Sequence, residues 1–281
     1  NIWNISKMRK NPKTCSAPAP LIMGILNVTP DSFSDGGLYL SAPAMLARAE
    51  EMVRGGADII DIGAESTRPG GAETGEEEEL ARLIPAIRAV RAEFPGIPVS
   101  ADTRRPSVAA RAAEAGADIL NDVVSDHSGG YPMARVAAES GRRLVITHNV
   151  RGLRREGDFF ENFISDMREK ACAALAAGVG RERVILDPGI GFGKTPRQNA
   201  ELVARLAELR ALGFPVLLGV SRKSMFSPIV GDNFSDRDDA TIAASVFAVL
   251  QNSADILRVH DVKRNSNAVK TAAALRNLWT K

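Results

Sequence analysis

"GGADIIDIG" (Gly55–Gly63) and "EAGADILND" (Glu114–Asp122) are near-copies of one another, and their reading decides the fold. Each begins where a helix should stop, turns tightly at glycine, and runs on into a short apolar stretch that ends in polar groups. Working outward from them, eight such runs stand along the chain: Leu21–Asn27, Asp58–Glu65, Ile97–Asp102, Ile119–Asp122, Leu144–His148, Val184–Asp187, Val216–Ser221 and Ile256–His260. Stretches with helical spacing separate them. A continuous apolar run reads as a strand buried on both faces, and strands alternating with helices imply a parallel sheet. Eight units in 281 residues predict a single closed (β/α)8 TIM barrel, an α/β fold. Residues 1–20 are then a short flexible N-terminal extension, and residues 21–281 the barrel domain. The strand tips of such a barrel converge on one mouth, which gathers the scattered polar tips into one site.

Composition narrows the function classes. With 36 basic and 34 acidic residues the net charge is +2, which gives no reason to expect nucleic acid or a membrane surface as partner. No apolar run approaches a membrane-crossing length, and the basic, polar leader lacks a signal core. Cys15 and Cys172 form no disulfide framework, which suits a reducing cytoplasm; Cys172, in an Ala-rich helical stretch, reads as a small core residue. The stretch Glu76–Phe94 reads as a helix whose opening glutamates form a solvated acidic face, a good match to the positive helix end. Pro106 opens a helix, and Gly116, Gly141, Gly178 and Gly213 fall where helices should stop. The stretch Asp239–Asn252 is apolar around nearly its whole circumference. Its second apolar face points to a homodimer, or else to cover by a neighbouring loop or the leader.

The chemistry lies at the strand tips. Asn27 opens the loop "NVTPDSFSDGG" and offers a neutral oxygen, suited to Mg²⁺ beside phosphate groups or to a plain turn. Thr67 and Arg68 precede the turn-forming Pro69; Arg68 can grip a carboxylate or phosphate, or make a surface ion pair. Asp102, Asn121 and Asp122 are costly to bury without partners. A flat heterocycle with several N–H donors would supply them, as would salt bridges to neighbouring loops. In "DPGIGFGK" Asp187 can accept two parallel hydrogen bonds from an amino-amidine edge, glycines allow close backbone approach, and Phe192 adds an aromatic wall. "SRKS" offers Lys223 as a point charge and Ser224 for a carboxylate. Arg258 and His260 alternate along one strand face and form an anion site. His148 is either a hydrogen-bonded structural group or a catalytic one; His127 faces water.

Together the segments "NVTPDSFSDGG", "GAESTRPG", "DTRRPSV", "LNDV", "DPGIGFGK", "SRKSM" and "RVHDV" resemble the dihydropteroate synthase family, in family order over residues 21–262. The resemblance implies an enzyme that joins a dihydropterin methyl diphosphate to 4-aminobenzoate and releases diphosphate in folate biosynthesis. It implies that Asp102, Asn121, Asp187 and Lys223, with Phe192, hold the pterin. Asn27, Arg258 and His260 would hold the diphosphate, with Mg²⁺ at Asn27. Thr67, Arg68, Pro69, Phe192 and Ser224 would shape the 4-aminobenzoate side, where sulfonamides also bind, and Phe33 and Asp35 sit on the loop that closes over it. Asp102, Lys223, Arg258 and His260 would carry the catalysis. Asn149 stands where the family often has a methionine that packs on the pterin, so a more polar pocket is expected there. Two competing readings are a pterin-dependent methyltransferase domain and a non-catalytic paralogue. The first needs neither the aminobenzoate loop nor the diphosphate site, and the second would have lost polar groups that are present in this sequence.

Overall fold

A computed structural model describes residues 17–28, 42–65, 74–150 and 156–279. The apolar runs become parallel strands: β1 (Leu21–Asn27), β2 (Ile59–Gly63), β3 (Val99–Asp102), β4 (Ile119–Asp122), β5 (Arg143–Thr147), β6 (Val184–Asp187), β7 (Leu217–Leu218) and β8 (Ile256–Val259). Their order is β6-β5-β4-β3-β2-β1-β8-β7. A parallel bridge between Leu186 and Val216, with the Leu186 N–H donating to the Pro215 carbonyl at 2.9 Å, brings the two ends of that order together. Closure leaves no strand edge to protect. The bounds of β1, β4 and β6 coincide with the sequence reading. The run Val216–Ser221 gives only Leu217–Leu218, Val216 joining by a single bridge to Leu186, and Arg222 stands at φ +58 in the turn that follows.

Between the strands lie α1 (Ala42–Gly55), α2 (Glu76–Glu93), α3 (Pro106–Glu114), α4 (Pro132–Ser140), α5 (Phe159–Ala176), α6 (Pro196–Ala204), α7 (Leu206–Arg210), α8 (Ser227–Val230), α9 (Phe234–Leu250) and α10 (Val262–Trp279). Pro106, Pro132 and Pro196 occupy first-turn positions, where a missing N–H costs nothing. Thr195 and Gln198 form a capping box on α6. Two expectations are corrected. The acidic opening of α2 is not wholly solvated: Glu79 is fully buried and paired with Arg105, which also binds Glu65 and the Thr74 carbonyl. Cys172 is exposed, because it lies on the face of α5 opposite Met167, Ala171 and Ala174. The leader's structure and Cys15 lie outside the described residues up to residue 16; Ala17 and Pro18 accept hydrogen bonds from Arg276 on α10.

The two-residue period of the strands splits the interior in two. One set of side chains, including Ile22, Ile60, Leu120, Leu144, Leu186 and Leu257, packs outward under the helices. The other, Met23, Ile59, Ile119, Val145, Ile185, Leu217 and Ile256, meets inside the barrel as a separate apolar layer. Two residues further on, the same inward faces carry Asp61, Asn121, Thr147, Asp187, Gly219 and Arg258. An apolar floor thus supports a polar layer at the C-terminal end of the strands.

The tripeptide Ala-Asp-Ile occurs at the start of β2, β4 and β8, and each aspartate does the same work. Asp58 accepts from the Ile22 N–H (2.8 Å), Asp118 from Val99 (3.0 Å) and Asp255 from Val216 (3.0 Å), while each aspartate's own N–H donates to that same residue's carbonyl. Arg91 and Arg210 brace Asp118 and Asp255 at 3.1 and 3.0 Å. These latches fix the register of adjacent strands at the barrel bottom. Asp118→Ala should therefore lower stability by about 1–2 kcal/mol, the lower part of the range for a hydrogen bond to a charged group because Asp118 is partly exposed. Urea unfolding should show a lower midpoint at unchanged slope; an unmoved midpoint would mean the latch contributes nothing.

Candidate active site

Arg258 stands at the centre of the polar layer. Its Nε donates to Asp61 Oδ2 at 2.6 Å and its Nη2 to Asp102 Oδ2. Asp61 also accepts from Asn121 Nδ2 at 3.3 Å, so an unbroken polar chain runs Asn121–Asp61–Arg258–Asp102 across four strands. Glycines make room beside it. A Cβ at Gly63 would stand 3.5 Å from Asp102 Cβ and 3.7 Å from Asn27 Oδ1. At Gly219 it would stand 3.8 Å from Asp187 Oδ2 and 3.9 Å from Arg258 Cβ. Burial pushes the Asp102 carboxyl up to about 7 against the pull of Arg258, and the neighbouring Asp61 adds to the rise. Burial also raises Asp187, opposed by the Gly189 N–H and then by Arg258 and Lys223. Despite its own desolvation, Arg258 is held firmly charged by Asp61, Asp102 and Asp187.

Two loops bring the remaining groups to this mouth. After β6, Asp187 Oδ1 accepts from Gly189 N at 2.7 Å. Gly189 has φ +64, and a Cβ there would lie 2.1 Å from the His148 carbonyl oxygen, so only glycine fits. Lys194 ties the loop down by donating to the carbonyls of His148 (2.6 Å), Gly189 (2.8 Å) and Phe192 (3.3 Å). After β7, Lys223 lies with its Nζ 4.8 Å from the centre of the Phe192 ring. The turn carrying it is held by Arg222, whose guanidinium grips Asp238 through two 2.8 Å bonds and whose N–H donates to Thr241 Oγ1 at 3.2 Å. Ser221 Oγ accepts from the His260 N–H at 3.1 Å and lies 2.9 Å from His260 Nδ1. Donation of the hydroxyl proton to Nδ1 would place the imidazole proton on Nε2.

A family profile described as "Pterin binding enzyme" matches residues 23–260. The Bacillus subtilis dihydropteroate synthase is 45% identical over 258 residues, covering 92% of this chain and 89% of its own. The solved Clostridium difficile dihydropteroate synthase, determined in the presence of pteroic acid, aligns with a TM-score of 0.85 at 40% identity, over 93% of this chain and 98% of that one. The Yersinia pestis dihydropteroate synthase in a sulfonamide complex gives 0.84 at 37% identity, over 92% and 94% of the two chains. The chain belongs to the dihydropteroate synthase family. It is accordingly a transferase.

Among the residues expected for a dihydropteroate synthase, Asn27, Asp102, Asn121, Asp187, Phe192, Lys223, Ser224, Arg258 and His260 all lie at or just beyond the C-terminal ends of the strands. Phe33, Asp35, Thr67, Arg68 and Pro69 lie outside the described residues. Asn149 donates its amide to the Val123 carbonyl at 2.9 Å, and the polar side chain that β5 contributes to the inner layer is Thr147. The sequence reading missed Asp61, Ser221 and the Arg222–Asp238 pair. An aspartate in the middle of "IIDIG" was the available signal, since a buried charge implies a partner.

His148 belongs to a second buried cluster, behind the strands. Its Nε2 lies 3.3 Å from Asp166 Oδ2 on α5, and its ring meets Phe163 edge-on at 4.8 Å. Nearby, Asp122 accepts from the N–H groups of Val124 (3.1 Å) and Ser125 (2.8 Å), and Lys170 donates to the Ser125 carbonyl. Desolvation lowers the His148 pKa to about 4 and raises that of Asp122 to about 6. The unfolded chain protonates His148 first, near about 6.5, so this residue alone removes stability as pH falls from there towards 4. Asp122 acts oppositely: the fold holds its proton more tightly and gains stability as pH falls below about 6. The two offset one another in a global unfolding curve, so a local probe is needed. The His148 imidazole resonances should stay at their neutral shifts from about pH 8 to about pH 5. A His148 midpoint near the ordinary histidine value would remove the buried-neutral assignment.

Proposed function

We infer that this mouth joins a (7,8-dihydropterin-6-yl)methyl diphosphate to 4-aminobenzoate, giving 7,8-dihydropteroate and diphosphate. The observation that carries the reading is the acceptor-rich polar layer set directly against Arg258, with Lys223 on the adjoining loop. Asp187 and Asp102 suit the N–H donors of a pterin ring, and the Asn121 Oδ1, buried and without a hydrogen-bond partner among the described residues, suits another. Phe192 would wall the ring, with Lys223 above it. Arg258 carries more N–H donors than Asp61 and Asp102 use, and these, with His260, suit the diphosphate.

The reaction needs no protein nucleophile. The bond from the methylene carbon to the diphosphate oxygen breaks, and the electron pair leaves with the diphosphate. The amine lone pair of 4-aminobenzoate then forms the new C–N bond, and the amine loses a proton to solvent. Arg258 and His260 would stabilise the charge growing on the leaving group, and Asp102 would oppose the positive charge growing on the pterin. Asn27 suits Mg²⁺ as one neutral oxygen ligand for an ion that takes most of its coordination from diphosphate and water; the described residues hold no cluster of three acidic, histidine or cysteine ligands that would bind it unaided. When bound, Mg²⁺ would offset charge on the diphosphate. Thr67, Arg68, Pro69, Phe33, Asp35 and Ser224 are proposed for the 4-aminobenzoate side, where sulfonamides would compete.

Two copies are proposed to pair through α9 and α10. Arg276 on α10 donates to the Val249 carbonyl on α9, so their ends lie side by side, and Phe247, Leu250, Leu275, Leu278 and Trp279 are exposed there. Sedimentation velocity should give the mass of a dimer at micromolar concentration; a monomer there would exclude it. No described helix is long and apolar enough to cross a membrane. The exposed Cys172 suits the reducing cytoplasm proposed for the chain.

The test of the activity is product formation from the pterin diphosphate and 4-aminobenzoate. Asp187→Asn keeps the shape but presents a donor to a donor. It should abolish measurable pterin binding and turnover while the far-UV spectrum stays native. Wild-type protein that makes no dihydropteroate would overturn the reading, and an Asp187→Asn variant that binds pterin normally would remove Asp187 from the site.

A further inference from the structure

Thr147 is the one member of the polar layer that the reading above leaves without a task. It ends β5, two residues beyond Val145 of the inner apolar floor, so its side chain faces into the barrel. It pairs in register with Asp187 on β6. It is 1% exposed, and its Oγ1 has no hydrogen-bond partner among the described residues. Its backbone is fixed by donation from the Thr147 N–H to Ser125 Oγ at 2.8 Å. Its methyl lies toward the β6 loop, with Cγ2 3.1 Å from where a Cβ on Gly189 would be. A buried and unsatisfied hydroxyl lowers stability, and such a group persists where a ligand completes it. Asn121 Oδ1, on the same layer of the neighbouring strand, is orphaned in the same way.

We propose that Thr147 is a specificity-determining residue of the ring pocket, its hydroxyl making a hydrogen bond to the polar edge of the bound heterocycle beside Asp187 and Asn121. The proposal rests on the pterin reading of this mouth. A hydroxyl both donates and accepts, so it serves a ring N–H as readily as a ring nitrogen or carbonyl oxygen. A valine of the same shape serves neither.

The prediction has opposite signs for folding and binding. Thr147→Val removes a buried unsatisfied group and keeps the branched shape, so the melting temperature should stay level or rise. Calorimetric affinity for 6-hydroxymethylpterin should fall about 5- to 10-fold, the loss of one neutral hydrogen bond. The KM for 4-aminobenzoate at saturating pterin diphosphate should not change. Thr147→Ser, which keeps the hydroxyl, should bind the pterin to within about twofold of wild type, a difference well under one hydrogen bond. Equal pterin affinity in wild type and Thr147→Val would overturn the proposal. So would a fall in affinity matched by a fall in melting temperature and shared by Thr147→Ser, which marks a packing role. Because binding is read separately from turnover, an inactive wild type would count against the proposed reaction, while an active wild type with an unaffected Thr147→Val would count against Thr147 alone.

Discussion

One largely buried guanidinium holds the mouth of this barrel together. Arg258 on β8 reaches across the barrel interior to Asp61 on β2 and Asp102 on β3, and Asp61 in turn holds Asn121 on β4. None of these charges could remain inside the barrel alone. A buried pair gives little net stability over an apolar replacement, yet losing one partner typically costs about 3–5 kcal/mol, because the other is left desolvated and unpaired. The layer is therefore an all-or-none arrangement. Burial, with Asp61 close by, holds Asp102 near the top of the carboxyl range against the pull of Arg258, and the crowding of Asp61, Asp102 and Asp187 around one cation keeps Arg258 charged. The apolar floor beneath, from Met23 to Ile256, is what keeps water from relieving that crowding from below.

The barrel was legible in the sequence because its signal is local and repeated. Runs such as Ile119–Asp122 and Val184–Asp187 are apolar until the last residue or two, and the glycines between units mark where each helix stops. What escaped was long-range pairing. Asp61 and Arg258 are 197 residues apart, and no local pattern announces that they touch. The same holds for Glu79, whose place in an acidic run suggested solvent although Arg105 buries it. Cys172 shows the reverse error: alanines around it suggest a core, but the helix period turns it outward. At the site, residue types at the strand tips were readable, whereas their orientation was not: Asn149 lies beyond the end of β5 with its amide on the Val123 carbonyl, and the last residue of the strand, Thr147, faces the barrel interior.

The loops reach the mouth by means that hydrophobic patterning does not encode. Gly189 is required by a carbonyl oxygen that leaves no space for a side chain, and Lys194 donates to that same carbonyl. Arg222 takes a left-handed backbone conformation, unusual for a residue with a side chain, and its fork onto Asp238 holds it there. That conformation sets the position of Lys223 next in the chain. Rigid anchoring of this kind matters because the groups it places act by orientation and charge, and neither tolerates slack.

The aspartate latches at the barrel bottom have a bearing on how the molecule divides. Asp58 ties β2 to β1, Asp118 ties β4 to β3, and Asp255 ties β8 to β7. Every latch lies within an odd–even couple of strands, and none of these three carboxylates reaches from one couple to the next; only the backbone carbonyls of Asp118 and Asp255 do, accepting from Arg143 and Leu21. Three of the four couples are thus cross-tied as two-strand modules, like staves riveted in pairs before the hoop is closed. The seams between couples are where a chain could be cut and its ends rejoined elsewhere without severing a rivet.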